Sequence, residues 1–186
     1  MVSQFVSTHQ VGLLGDLDFN FPEGIHAIGR LDNHSEGLLI LTTNKKVTRL
    51  LFLGGTPHKR TYLVQVNNLL SNENLHLLQT GITIRVKGGE DYVTPPCEVA
   101  IIDNPERLYK TALTLPQYGP HTWLLLTLTE GKFHQVRKMI GAVRHRCKRL
   151  IRVSIEGLAL GNLQPGCVRE IEENDFFKQL KIVAPQ

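Results

Sequence analysis

No apolar stretch in this chain approaches the roughly 20 residues that a membrane-spanning helix needs. The first residues show no basic region leading into an apolar one, so no secretory signal is visible. There are only three cysteines in 186 residues, Cys97, Cys147 and Cys167, far apart and without a C-x-x-C pair. An odd, scattered set of thiols excludes a disulfide framework and fits a reducing compartment. His145 and Cys147 lie close in sequence, but no second ligand pair stands at usable spacing, which argues against a structural zinc site. Repeats, low-complexity tracts and Pro/Ser-rich linkers are also missing. What these absences leave is a soluble, cytoplasmic, folded protein that needs neither metal nor disulfide to bury its core.

Charge is where the sequence departs from the ordinary. The net charge is +4, from 21 Lys/Arg against 17 Asp/Glu. Eight of those cations fall between Gly131 and Arg152, with no acid among them: Lys132, Arg137, Lys138, Arg144, Arg146, Lys148, Arg149 and Arg152. The 13 that remain face all 17 acids, so the rest of the chain is mildly acidic. A concentrated basic stretch on such a protein is the electrostatic footprint expected for a polyphosphate partner. A solvated basic face without a partner is the alternative that charge alone leaves open.

Hydrophobic periodicity points to an α+β fold. Strands are expected at Leu38–Leu41, Tyr62–Val66, Ile82–Val86, Cys97–Ile102, Trp123–Leu128, Leu150–Ile155 and Leu158–Leu160. Asn44 can cap a helix carrying Val47, Leu50 and Leu51, which Gly54-Gly55-Thr56-Pro57 would end. Ser71 opens another, with Leu75, Leu77 and Leu78 on it and Gly81 as its stop. Phe133, Val136, Ile140 and Val143 recur at steps of three and four, the mark of an amphipathic helix of about three turns. Its flanks and opposite face would carry His134, Gln135, Arg137 and Lys138. A closing helix is expected at Asp175–Leu180. Without a regular βαβ rhythm, a central mixed, mostly antiparallel sheet flanked by helices is the better reading.

Three segments carry residues suited to chemistry. In Gly29-Arg30-Leu31-Asp32-Asn33-His34-Ser35-Glu36-Gly37, a polar loop delivers Asp32 ahead of an apolar run, at the edge of a sheet. On composition alone a turn with Asx-type hydrogen bonds explains the same residues more simply. Glu130 to Met139 places Arg137 at a strand–helix junction, where a guanidinium could orient a carboxylate and keep it ionised. A surface arginine is the plainer alternative. Arg60-Thr61-Tyr62 opens a strand with an aromatic that could stack on a base, or could be half-buried in the sheet.

Taken together and in order, these residues resemble the pseudouridine synthases, in the branch that acts on ribosomal RNA. Gly29-Arg30-Leu31-Asp32, Ser35, Gly37-Leu38-Leu39 and Leu41-Thr42 look like the family signature. Arg60-Thr61-Tyr62 looks like its second motif, and Gly131 with Gln135-Val136-Arg137-Lys138-Met139 its third. Arg149-Leu150-Ile151-Arg152, Gly157-Leu158, Leu163, Pro165-Gly166 and Arg169 extend the similarity to roughly Val2–Ile171. The resemblance implies Asp32 as nucleophile, Tyr62 packed on the target base and taking the proton from its C5, and Arg137 in an ion pair with Asp32. Arg30 would fill the space vacated by the flipped uridine. The active site would lie in a basic cleft, with Lys132, Lys138, Arg144, Arg146, Lys148 and Arg149 contacting RNA, and no cofactor or metal would be needed.

The resemblance also sets expectations about organisation. Residues 1–186 would form one catalytic domain, without the small N-terminal S4 RNA-binding domain many relatives carry, and with the strand at Val2-Ser3-Gln4 cut short. Arg60 stands where the family often has Lys. The substrate implied is ribosomal RNA, 23S before 16S or transfer RNA, and nothing calls for a partner subunit, so a monomer is expected. A non-catalytic RNA-binding or ribosome-assembly protein on the same fold is the rival reading.

Overall fold

The computed structural model describes residues 1–52, 57–113 and 119–182. After a 3-10 turn at Leu14–Asp16, the elements in chain order are β1 (His26–Ile28), β2 (Glu36–Gly37), β3 (Ile40–Thr42), α1 (Lys46–Phe52) and β4 (Arg60–Asn67). There follow α2 (Asn72–Thr80), β5 (Thr83–Arg85), β6 (Asp91–Val93), β7 (Glu98–Ile101) and β8 (His121–Leu128). The last are α3 (Gln135–Ala142), β9 (Cys147–Ile155), β10 (Leu158–Ala159) and α4 (Glu173–Gln179). None of the described helices is long and apolar enough to cross a membrane.

The central sheet runs β10-β9-β4-β8-β7, every neighbour antiparallel, and β2 joins the outer edge of β9 in parallel. This is the mixed, mostly antiparallel α+β sheet expected. Both faces of the sheet are covered, which is why β4 reads as a nearly continuous buried run rather than alternating with polar residues. Leu63, Ile151, Val153 and Ile155 face one core with α1 and α4. Val64, Val66, Leu124, Leu126 and Leu150 face the other, closed by Leu78 of α2 and by Val136, Met139 and Ile140 of α3. Met139 and Ile140 have no exposed surface, so truncating either to Ala would cost roughly 2–5 kcal/mol.

Local signals at α2 act as the sequence suggests. Ser71 Oγ accepts from the Asn74 N–H at 3.1 Å, and Gly81 ends the helix at φ 110°. There a Cβ would sit 2.3 Å from the Thr94 carbonyl, so only glycine fits. Asn44 Oδ1 accepts from Lys46 N–H at 3.0 Å and opens α1, while Gly54-Gly55-Thr56, expected to close it, lies outside the described residues.

Three expectations change. The strand expected at Leu38–Leu41 begins only at Ile40: β2, which ends at Gly37, pairs with β9, and β3 leaves to pair with β1 through Ile40 and Ile28. The break is at Gly37, whose φ of 103° turns the chain away from β9. β1 and β6 are three residues each and too short to show periodicity. Finally, α3 begins only at Gln135. His134 is left-handed at φ 53°, so Phe133 lies outside the helix and 63% exposed rather than in the apolar stripe. Gln135, expected on the polar side, is buried.

Candidate active site

Asp32 sits in the loop between β1 and β2, and that loop is tethered along its length. At its start, Ser3 Oγ donates to the Leu31 carbonyl at 3.2 Å and accepts from the Leu31 N–H at 3.0 Å. The Asp32 carbonyl accepts from Ser35 N–H at 2.8 Å, closing a turn. The turn is closed by backbone and not by the Asx-type side-chain bonds expected, and it is what carries the Asp32 carboxylate. At its end, Glu36 takes a bidentate grip from Arg149, at 2.9 Å from Nε and 2.8 Å from Nη2. Gly37 then pairs with Arg152, where a Cβ would lie 2.3 Å from the Arg152 carbonyl oxygen.

Arg137, on the first turn of α3, supplies the middle tether. Its Nη2 donates to the His34 carbonyl and, at 3.4 Å, to Ser35 Oγ, and its Nη1 reaches the Cys147 carbonyl at 3.5 Å. The expected Arg137–Asp32 ion pair is not formed in this structure. The guanidinium instead holds the backbone of the turn that carries Asp32. The cationic partner at the carboxylate is His134, with Nε2 3.5 Å from Asp32 Oδ1, an ion pair whenever the ring is protonated. The left-handed backbone at His134 aims its ring at Asp32 and stacks it on Phe133, with centroids 3.9 Å apart and planes 18° apart.

The junction before α3 is rigid for a stated reason. Gln135 Nε2 donates to Glu130 at 2.5 Å, Tyr92 Oη donates to the same carboxylate at 2.5 Å, and Gln135 Oε1 accepts from Lys132 N–H at 2.8 Å. These bonds satisfy a buried amide and fix where His134 and Arg137 project. On the sheet side, Tyr62 of β4 is half-buried and lies directly opposite Arg152 of β9. The Arg152 side chain is thereby a cross-strand neighbour of the phenol, and it is within electrostatic reach of Asp32 and Arg60. Burial is the largest influence on Arg152 and lowers its hold on its proton, while Tyr62 and Asp32 act in the opposite sense.

Asp32 and His134 line a groove of about 850 Å³, together with Arg30 and Phe133. Much of its apolar wall comes from residues 14–25, 38–41 and 158–171. Arg30 is exposed on this groove, as are Lys132, Arg144, Arg146 and Lys148 elsewhere on the surface, and Lys138 is half-buried with Nζ 5.4 Å over the Phe133 ring. Arg149 is the correction among the expected RNA contacts. It is 7% exposed, and besides Glu36 it donates to the carbonyls of Thr111 at 3.2 Å and Ala112 at 2.5 Å. A guanidinium so enclosed is part of the scaffold. His145 is engaged by Asn67 and Asn74, and burial pushes the Cys147 thiol up to about 11, so neither is poised as a ligand.

Arg152, His134 and Ser3 are the members of the site that sequence reasoning missed. Arg152 had a signal: a charged residue in the middle of an apolar strand, where it must be partnered or functional. Ser3 and His134 had none, since their roles rest on contacts 28 and 102 residues away in sequence.

Comparison with known proteins identifies the family. Residues 15–142 match the RNA pseudouridylate synthase family. Ribosomal large subunit pseudouridine synthase E of Vibrio parahaemolyticus is 34% identical over 149 residues, 80% of this chain and 60% of that protein. The protein of the same name from Xanthomonas axonopodis pv. citri is 33% identical over 167 residues, covering 89% of this chain and 85% of its own length. The chain thus spans less than two-thirds of the length of the Vibrio relatives, 60% for that of V. parahaemolyticus and 64% for that of V. vulnificus. A crystal structure of a pseudouridylate synthase superposes with a TM-score of 0.69 at 25% identity, over 87% of this chain and 63% of that one. With the central sheet and the matched residues in agreement, this chain belongs to the RNA pseudouridylate synthase family.

Proposed function

We propose that this protein isomerises a uridine of large-subunit ribosomal RNA to pseudouridine, with Asp32 as nucleophile. The observation that carries the reading is the Asp32 carboxylate on a tethered turn at the rim of the groove, in a chain of this family. Large-subunit RNA is favoured over 16S or transfer RNA because relatives at 33–34% identity are named for the large subunit. A carboxylate becomes a competent nucleophile toward an electrophilic carbon once it is oriented and partly desolvated. The tethers from Ser3, Arg137 and Glu36 supply the orientation. The reaction breaks the N-glycosidic bond, rotates the uracil within the pocket and rejoins it through C5.

Tyr62 packs on the base, takes the C5 proton and is set in place from the sheet, and Arg137 orients Asp32 by holding its turn. The target must leave its stack first, at a cost of a few kcal/mol, and Arg30 fills the gap it leaves. Exposed Lys132, Arg144, Arg146 and Lys148, with Lys138, give phosphate contacts that offset this cost. The protein acts as a cytoplasmic monomer and uses no cofactor.

The test is pseudouridine mapping on 23S and 16S rRNA transcripts incubated with wild-type protein and with Asp32→Ala. One modified uridine in 23S RNA with wild type alone is the expected result. Modification by the Asp32→Ala variant at the wild-type rate would remove the nucleophile. Tight RNA binding with no modification in either sample would move the protein to the assembly-factor reading.

A further inference from the structure

β9 carries two buried arginines three residues apart, and they are solved differently. Arg149 has a carboxylate partner in bidentate contact and two further carbonyls. Arg152, 6% exposed, has no carboxylate within ion-pair distance among the described residues. Its Nε donates to the Leu38 carbonyl at 2.8 Å, its side chain stands across from Tyr62, and its Nη2 is buried with no hydrogen-bond partner among the described residues. A buried cation left this incompletely paired costs several kcal/mol and would be replaced by an apolar side chain without loss if packing were its only role.

Its location supplies the reason to keep it. The backbone of Arg152 pairs with Gly37 of β2 on one side and with Tyr62 of β4 on the other. Leu38 N–H also donates to the Arg152 carbonyl at 2.8 Å. The residue therefore joins the segment that follows Asp32 to the strand that carries Tyr62. Directly opposed residues in a sheet share a face, so the guanidinium and the phenol stand on the same side of it.

We propose that Arg152 is a positioning residue for the isomerisation, packing beside the Tyr62 phenol across the strand pair while anchored to the Leu38 carbonyl, and so fixing the distance between Tyr62 and Asp32. The inference rests on the synthase reading above. Its effect falls on turnover and not on RNA binding, because the side chain is buried and offers almost no surface to a phosphate. Loss of such a positioning contact moves reacting groups by an ångström or so, which lowers rate about 100-fold.

The experiment measures release of tritium from rRNA transcripts made with [5-³H]uridine, since the C5 hydrogen leaves when that carbon joins the sugar. It compares wild type, Arg152→Met, Arg152→Lys, Tyr62→Phe and the two double variants, with thermal unfolding recorded for each. Expected are a kcat about 100-fold lower for Arg152→Met, KM within about twofold, and partial recovery with Arg152→Lys, which keeps the charge but not the fork. In the Tyr62→Phe background the same change should cost less than about threefold, because its route of action is already gone. Should Arg152→Met fail to fold, the Arg152→Lys pair of variants forms the same cycle. Full additivity with Tyr62→Phe, a loss carried by KM, or a loss no larger than the unfolded fraction would each overturn the proposal. A wild-type protein that forms no pseudouridine would overturn the synthase reading beneath it, a distinct outcome.

Discussion

Replacing Arg149 by Met separates a scaffold arginine from an RNA contact. The side chain is 8% exposed and makes four donor contacts, two to Glu36 and one each to the Thr111 and Ala112 carbonyls. Breaking a buried ion pair from one side costs about 3–5 kcal/mol, since the abandoned partner keeps its desolvation penalty. Here Glu36 is 39% exposed, so water can reach it, and the lower end of about 3 kcal/mol applies. For a chain of this size each kcal/mol moves Tm by about 2–4 °C, so a fall of about 6–12 °C is expected. Methionine fills most of the volume, which keeps the packing loss small.

The second readout is RNA affinity against salt. A lost phosphate contact would reduce the slope of log K against log salt by about 0.7–0.9. Arg149→Met should leave that slope unchanged below its melting temperature. Glu36→Gln, which keeps one hydrogen bond but no charge, should lower Tm by about half as much. An unchanged Tm with a reduced salt slope would refute the structural assignment and return Arg149 to the RNA-binding surface.

Other consequences can be checked as directly. Gly37→Ala places a methyl 2.3 Å from the Arg152 carbonyl at a φ of 103°, so β2 must detach from β9; a loss of at least about 3 kcal/mol is expected, and a wild-type melting curve would contradict it. Arg137→Met removes the hold on His34 and Ser35. It should lower kcat about 100-fold with little change in RNA affinity, and single-turnover tritium release at the wild-type rate would remove it from the mechanism. Burial pushes the thiols of Cys97 and Cys147 up to about 11, whereas Cys167 is exposed. Iodoacetamide at pH 8 should therefore add one label to the folded protein by mass spectrometry, and three labels would be the contrary result. The sign for stability follows: the two buried thiols stay protonated in the fold while the unfolded chain ionises them from about pH 8.5. Their contribution is full below that pH and is lost as pH rises toward 11.

The sequence by itself determined the class of fold, the long strands and helices, and the segments that meet at the site. β4, β8 and β9 are long enough for hydrophobic composition to reveal them, and α2 announces both its ends through Ser71 and Gly81. Asp32, Tyr62 and Arg137 stand in motifs whose order carried the family resemblance. What only the tertiary structure decided is which charges of one basic stretch reach solvent. A strand buried on both faces gives no alternation by which to sort its cations, so Arg149 looks like Lys148 until the sheet is assembled, and Arg152 shows only as a charge in an apolar run. Likewise the angle of α3 sends Arg137 to the backbone of the Asp32 turn, and one left-handed residue puts His134 beside the carboxylate and Phe133 in solvent. Partners 100 residues apart in sequence are set by packing, and local pattern has no means of encoding them.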